Sequence, residues 1–289
     1  MVEGPDQARI LLITAHRDEH VQGQIDRGLA GALGESVDVA EFFEIEFLID
    51  KKVEIRWRGK DVSSYEKIIM YGGVGRLLRV AHPLALTLLA NGQDLFTSGA
   101  ENYRGLDKLS QNVYFALDGI PIPKTYYAAP DLLVNNAPDI IGFPLVLKDI
   151  LASQGERNYL IRSQQEFEEK RTDMQKDRYI AQEYIKNKGD VRVLINNKGS
   201  MFAFKRSAVE GTHLNNVTKG ASVERIDDLP EDLVGYCVKI IKNFNAPLLG
   251  IDVIERDGKC YFLEANTQPA IFSGDFIGEK SNVLLRSVT

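Results

Sequence analysis

The sequence predicts a protein of mixed helices and sheets that opens with an α/β unit over residues 1–100. Three observations carry this. Short apolar runs alternate with helical patterns through that stretch, in the order β-α-β-β-β-α-β. Farther on, β-rich runs are joined by tight turns at Asn196-Asn197-Lys198-Gly199 and at Asp257-Gly258, and Asp-Gly between two such runs is the strongest short-range hairpin signal. Hydrophobic residues make up 44% of the chain and charged residues 26%, as in ordinary globular proteins. A length of 289 residues suffices for two domains, or for one with a well-filled core.

The same composition bounds the function. No apolar run approaches the length of a membrane span, and Met1-Val2-Glu3-Gly4-Pro5-Asp6 is no signal peptide. Cys237 and Cys260 cannot alone make a disulfide framework or a zinc site, so a reducing cytoplasm is expected. The net charge of −6 is spread over interleaved acids and bases. That leaves no electrostatic footprint for nucleic acid or for an anionic membrane, and neither partner is expected.

In chain order, Ala8-Arg9-Ile10-Leu11-Leu12-Ile13-Thr14 reads as a buried strand, and Ile25, Leu29, Ala32 and Leu33 mark a helix. Residues 37–58 hold two β-rich runs around Asp50-Lys51-Lys52, with Val53, Ile55 and Trp57 alternating against Glu54, Arg56 and Arg58. A strand follows at Lys67–Tyr71, then a helix from Arg79 to Asn91 and a strand near Asp94–Thr97. Gly72-Gly73-Val74-Gly75 has the spacing of neither the dinucleotide fingerprint nor the Walker loop, and reads as a turn bordering a cleft. His16 and His20 could share a helix face as metal ligands, but without a third candidate they read as exposed loop histidines.

A helix opens near Asp107 and ends around Leu117-Asp118-Gly119, and Ile120–Thr125 then leaves extended because of two prolines. Asp107 complements the positive helix start, whereas Lys108 opposes it and gains from a nearby anion such as a phosphate. Lys148 interrupts the apolar strand Phe143–Ile150, where a lysine must snorkel or pair. It precedes the small-residue loop Leu151–Arg157, and a lysine on a strand before a flexible loop can clamp phosphates. Ser163-Gln164-Gln165-Glu166 is a capping box that starts a polar helix with Phe167 on one face. Strands follow at Tyr179–Ile185, Asp190–Ile195 and Met201–Arg206, then an irregular segment over 207–226. Pro230 starts a helix with Leu233, Cys237, Ile240, Ile241 and Phe244 at helical spacing, which makes Cys237 a core residue.

The stretch Gly250–Asn266 carries the sharpest chemistry. Glu264 and Asn266 are two apart on a strand and so share a face. If pairing across Asp257-Gly258 brings Asp252 to that face, two carboxylates and an amide oxygen converge, a hard-oxygen set suited to Mg²⁺. The bland alternative is a surface hairpin whose acids face water. It fits poorly with acids inside runs such as Leu248–Val253 and Phe262-Leu263, where unpartnered carboxylates would be costly.

Taken in order, these pieces resemble the ATP-grasp superfamily, and within it the branch typified by the ribosomal-protein glutamate ligases. The resemblance runs from about Asp107 to Gly274. It rests on Asp107-Lys108, on Phe143–Lys148 with Ser153-Gln154-Gly155, and on Gln182-Glu183-Tyr184-Ile185 with Gly189-Asp190-Val191-Arg192. Arg206…Asn216…Lys219-Gly220 and Gly250-Ile251-Asp252…Glu264-Ala265-Asn266 complete it. It implies an α/β domain over 1–100 before a two-lobed ATP-grasp module of α+β class, with a small lobe over 101–186 and a large lobe over 187–289 holding the metal site.

The resemblance also implies a role for each matching residue. Lys108 and Lys148 would contact ATP phosphates beneath the loop of Ser153, Gln154 and Gly155. Gln182, Glu183, Tyr184 and Ile185 would run along the adenine, and Asp190 would hold the ribose. Asp252, Glu264 and Asn266 would bind Mg²⁺, or Mn²⁺ in its place, while Arg206 and Asn216 would lie by the transferred phosphate. The implied activity joins a carboxylate to an amine through an acyl-phosphate, on an amino acid or peptide, in a family where homo-oligomers are common. Leu214 stands where glutamate ligases have an arginine, and Thr267–Phe272 replaces their Ser-Pro-Gly turn, which leaves the amino acid open. The alternatives are an ATP-binding regulatory protein that has lost ligation and a small-molecule kinase on the same fold.

Overall fold

The computed structural model describes residues 10–14, 37–70, 78–97, 107–152, 157–174, 178–207, 222–244, 246–267, 269–271 and 274–288. Strand β1 (Ile10–Thr14) is the apolar run expected, with Ile10 to Ile13 buried. It pairs in parallel with β2 (Val37–Glu41). The chain then forms the hairpin of β3 (Ile45–Ile49) and β4 (Val53–Trp57), and β4 alternates inward Val53, Ile55 and Trp57 against Glu54 and Arg56. After the short β5 (Lys60–Asp61), strand β6 (Lys67–Met70), helix α1 (Leu78–Ala90) and β7 (Asp94–Thr97) complete a parallel sheet of order β2-β1-β6-β7.

The hairpin does not join that sheet. Helix α2 (Lys108–Leu117) and strand β8 (Thr125–Tyr127) follow, and β3 pairs antiparallel with β8, Phe47 opposite Tyr127 and Ile49 opposite Thr125. Next come α3 (Pro130–Ile140), β9 (Leu145–Asp149), β10 (Asn158–Ile161), α4 (Gln164–Arg171) and β11 (Tyr179–Glu183). The resulting sheet has the order β10-β9-β11-β8-β3-β4-β5, so it draws on residues either side of the expected boundary at residue 100. Ile45, Phe47 and Ile49 share one face of β3 and are all fully buried, but which strands pair with its two edges, β4 and β8, is not recorded in that periodicity. Strand β8 and helix α3, whose first residue is Pro130, are additions to the elements expected. The capping box at α4 is half formed. Ser163 Oγ accepts from the Glu166 N–H at 3.3 Å, but the Glu166 carboxylate returns to the Arg162 N–H at 2.7 Å.

A third sheet holds β12 (Asp190–Asn196), β13 (Met201–Ser207), β14 (Ser222–Ile226), β15 (Leu248–Arg256) and β16 (Lys259–Asn266), in the antiparallel order β14-β13-β12-β15-β16. The segment expected to be irregular over 207–226 therefore ends in a strand. Asp257 and Gly258 turn β15 into β16 with φ of 54° and 73°, the pattern of the two-residue hairpin foreseen. Helix α5 (Glu231–Phe244) covers one face with Leu233, Cys237, Ile240 and Ile241, and burial pushes the Cys237 thiol up to about 12. Helix α6 (Ile277–Val288), not anticipated, covers part of the other, where Val283 packs with Leu194, Phe202 and Phe204. No helix among the described residues is long and apolar enough to cross a membrane.

Candidate active site

The uncovered part of that second face is charged, and strand register explains why. Asp190 and Arg192 are two apart on β12; Arg206 lies opposite Asp190 and Asp252 opposite Arg192, while Glu264 lies opposite Asp252 and Asn266 opposite Gly250. Cross-strand partners share a face, so all six side chains sit on one side, with Val193, Ile251 and Ala265 turned to the α5 core.

Asp190, Arg206 and Asp252 are buried, at 6%, 8% and 9% exposure, and buried charges persist only when paired. Arg206 Nε donates to Asp190 Oδ1 at 2.7 Å and its Nη2 donates to Asp252 Oδ1 at 2.9 Å, with a second contact to Asp190 Oδ2. Arg192 grips Asp252 in a fork, Nη2 to Oδ2 at 2.8 Å and Nε to Oδ1. Burial pushes the Asp190 carboxyl up to about 6 and nearby Asp252 adds to this, while Arg206 opposes it. Burial works to lower the Arg206 guanidinium, but Asp252 and Asp190 outweigh it and hold it above its ordinary range.

Two glycines make this packing possible. Gly189, with φ of 140°, lies so close to β13 that an added Cβ would stand 2.2 Å from the Arg206 carbonyl oxygen. At Gly250 a Cβ would meet Pro269 Cβ at 2.7 Å and Arg192 Nη1 at 3.0 Å. Gly250 thus lets Arg192 lie flat across β15 while Pro269, from the loop after the predicted metal ligands, rests on the same strand.

Two lysines from other elements lie within electrostatic reach of this face. Lys108 is the first residue of α2, whose cap Asp107 accepts from the Ser110 N–H at 3.0 Å and Ser110 Oγ at 2.8 Å. Its own N–H donates to Ile150 O at 3.1 Å, and its Nζ reaches Ala152 O. Lys148, on β9, donates at 2.5 Å to Oε1 of Gln182 on the neighbouring β11. Gln182 Nε2 passes the chain on to Thr125 Oγ1 at 2.9 Å and Asn112 Oδ1 at 3.2 Å, and Asn112 Nδ2 donates to Lys108 O at 2.6 Å. Burial brings the Lys148 ammonium down to about 8 and Lys108 pushes the same way, while Glu264 and Asp252 pull it back up. Glu264 answers in kind: burial raises its carboxyl, Lys108 and Lys148 lower it, and Asp252 raises it further. Lys108, Lys148, Asp252 and Glu264 therefore lie in one another's field.

The predicted residues separate clearly. Lys108, Lys148, Asp190, Arg206, Asp252, Glu264 and Asn266 are placed around one charged region. Gln182 turns inward to Lys148 rather than outward. Glu183 follows with Arg256 at 3.6 Å, Tyr184 is half-buried and Ile185 is buried. Ser153, Gln154, Gly155, Asn216 and Leu214 lie outside the described residues, as do His16, His20 and the run Gly72–Gly75. Sequence reasoning left Arg192 without a role, although its place two residues after Asp190 on a strand put it on the same face. Asn112, Thr125 and Gln111 carried no signal, because the contacts that tie them to the site, with Gln182 and Ala265, are long-range.

A parallel-sheet unit is followed by two antiparallel sheets, one carrying Lys148 and the other the paired carboxylates. Comparison with known proteins gives the family. A model of the RimK-like ATP-grasp domain matches residues 105–277, more than half of the chain, and the chain belongs to that family. It is an ATP-dependent ligase by class. A probable alpha-L-glutamate ligase of Aeromonas salmonicida is 26% identical over 252 residues, covering 84% of this chain and 83% of that protein. One from Vibrio atlanticus is 23% identical over 251 residues, covering 83% and 81%. Among solved structures, D-alanyl-alanine synthetase A of Vibrio cholerae superimposes with a TM-score of 0.53 at 14% identity, covering 99% of this chain and 98% of that one. D-alanine–D-alanine ligase of Bacillus anthracis with ATP gives 0.52 at 15% identity, covering 98% and 96%. The ligase PsnB with a minimal precursor gives 0.50 at 17%, covering 98% and 100%. The structural likenesses bear out the expected fold class.

Proposed function

We propose that the protein joins a carboxylate to an amine, forming an amide through an acyl-phosphate, with an amino acid or a peptide as substrate. The observation that carries this is the convergence of Lys108 and Lys148 with Asp252 and Glu264, beside Arg192 and Arg206. The relatives named as probable glutamate ligases support an acid–amino acid reaction.

The residues present fit a divalent ion. Asp252, Glu264 and Asn266 supply hard oxygens from adjacent positions of two paired strands, and burial leaves Glu264 short of compensation for its charge. Mg²⁺ held there would offset the charge of the nucleotide phosphates. The protein's own groups do the rest. Lys108 and Lys148 hold the phosphates, and the Gln182–Thr125–Asn112 chain fixes where Lys148 stands. Arg192 and Arg206 face the position where charge accumulates as a substrate carboxylate attacks the γ-phosphate. The carboxyl–phosphate bond forms as the bond to ADP breaks. The amine then displaces phosphate at the carbonyl carbon and loses a proton, and no enzyme nucleophile is required.

The test is release of ADP and phosphate with Mg-ATP over pooled amino acids and dipeptides, read by mass spectrometry. A product lighter by one water than its two substrates is expected, and Glu264→Ala should abolish it. Full activity in that variant would sink the metal assignment. A second reading, an ATP-binding regulator without ligase activity, is favoured by the arginine contacts to both oxygens of Asp252. Nucleotide binding without turnover under every pool would support it.

A further inference from the structure

Helix α2 lies along the outer edge of β16, and one stripe of its residues reaches Ala265 and Phe262. Lys108, Gln111 and Phe115 follow one another at i, i+3 and i+7, so they share one side of the helix. Phe115 stacks edge-on against Phe262 with ring centroids 6.4 Å apart. One turn earlier, Gln111 meets Ala265 through two hydrogen bonds: Gln111 Nε2 donates to Ala265 O at 3.1 Å, and the Ala265 N–H donates to Gln111 Oε1 at 2.9 Å. The amide orientation is forced, because the backbone N–H can only donate and the carbonyl can only accept. Gln111 is 3% exposed, so it stands in for a neighbouring strand at the one residue between Glu264 and Asn266. Farther along the same edge, the Phe262 N–H donates to Pro121 O at 2.8 Å.

We propose that Gln111 is a positioning residue that sets Glu264 and Asn266 against Lys108. Continuing the stripe one turn towards the helix start leads from Gln111 to Lys108, the first cation opposing burial at Glu264. The phosphate lysines are held together by other means, since Lys108 N–H is bonded to Ile150 O and Lys108 O to Asn112. Loss of Gln111 therefore leaves nucleotide contacts intact and loosens the strand that carries two of the metal's three ligands. Ala265 is buried at 2% exposure, so its N–H and C=O would be left without partners and β16 would shift to find them.

This rests on the metal set proposed above, and the experiment separates the two. ADP binding is measured by calorimetry for the wild type, Gln111→Ala, Gln111→Glu and Glu264→Gln, in EDTA and in a Mg²⁺ titration, with Mn²⁺ paramagnetic resonance as a second readout. In EDTA the Gln111 variants should bind ADP within about twofold of the wild type. Their half-saturating metal concentration should rise about tenfold or more, as for losses of outer groups that orient metal ligands. Gln111→Glu keeps the acceptor for Ala265 N–H but sets a carboxylate against its carbonyl, so it serves if Gln111→Ala does not fold. An unchanged metal titration, or an equal loss of ADP affinity with and without metal, overturns the proposal. If Glu264→Gln itself leaves metal binding unchanged, the metal assignment falls instead.

Discussion

Replacing Lys148 by Met should stabilise the free protein while weakening its hold on nucleotide, and the size of each effect follows from the structure. Burial first and Lys108 second, partly offset by Glu264 and Asp252, bring Lys148 from 10.5 to about 8, a net of about 3 kcal/mol against its charged form at neutral pH. Met fills a similar volume without a charge. The substitution also removes the donor to Gln182 Oε1 and leaves that buried acceptor unpaired, at a cost of about 1–3 kcal/mol. The net gain at pH 7 is about 1 kcal/mol.

The sign with pH is opposite to that of a salt-bridged lysine. Below the folded value of about 8 the lysine is protonated in both states and the penalty is complete. Between there and 10.5 the unfolded chain binds more protons than the native one, so stability of the wild type rises with pH. Urea unfolding at pH 7 and at about pH 10.5 should show the advantage of Lys148→Met shrinking by about 3 kcal/mol and reversing. A difference that stays constant with pH would refute the burial argument. At pH 7 the same variant should bind ADP at least about tenfold more weakly, since one phosphate cation is gone.

Two further substitutions test the scaffold. Asp149, whose side chain is fully buried, accepts from Arg178 Nη2 at 2.6 Å, Arg157 Nη1 at 3.3 Å and the Leu151 N–H at 2.9 Å. Asp149→Asn removes the charge that Arg178 pairs with, while half-exposed Arg157 turns to water, and should cost about 1.5–3 kcal/mol in urea unfolding through the Arg178 contact; an unchanged midpoint would mean that contact contributes little. Gly189→Ala places a methyl 2.2 Å from the Arg206 carbonyl in a backbone conformation that resists side chains. It should lower stability by about 3 kcal/mol by thermal melting and reduce turnover, because β13 carries Arg206 away from Asp252.

Much of this was legible from residues one strand apart. Asp-Gly fixed the β15–β16 turn, and period two put Glu264 with Asn266; the same period set Arg192 beside Asp190, but nothing local gave that pair a meaning. What stayed hidden depends on contacts that no local pattern records. Phe262 and Ala265 both face the α5 core although they are three apart, which strict alternation forbids. The register shift between Asp252 and Val253 explains it: β16 carries one extra residue, Leu263, so Phe262 returns to the core while Glu264 still faces Asp252. The inward turn of Gln182 needed Lys148 on the neighbouring strand, and the escape of β3–β4 into the second sheet needed β8, a three-residue strand.

The proposed reaction asks for two groups of charge held apart on different elements. Asp190, Arg192, Arg206, Asp252 and Glu264 depend on one another through the register of a single sheet, and each buried member is paired within it. Lys108 and Lys148 depend on α2, β9 and the polar chain through Gln182. Phosphoryl transfer is mostly positioning and charge stabilisation, so displacement of one group against the other costs rate even when each is intact. Gln111–Ala265, Phe115–Phe262 and Phe262–Pro121 join the helix segment of one group to the strand of the other. Substitutions along this seam should therefore spare folding more than turnover. Substitutions within the sheet, where buried ions lose their partners, should damage both together.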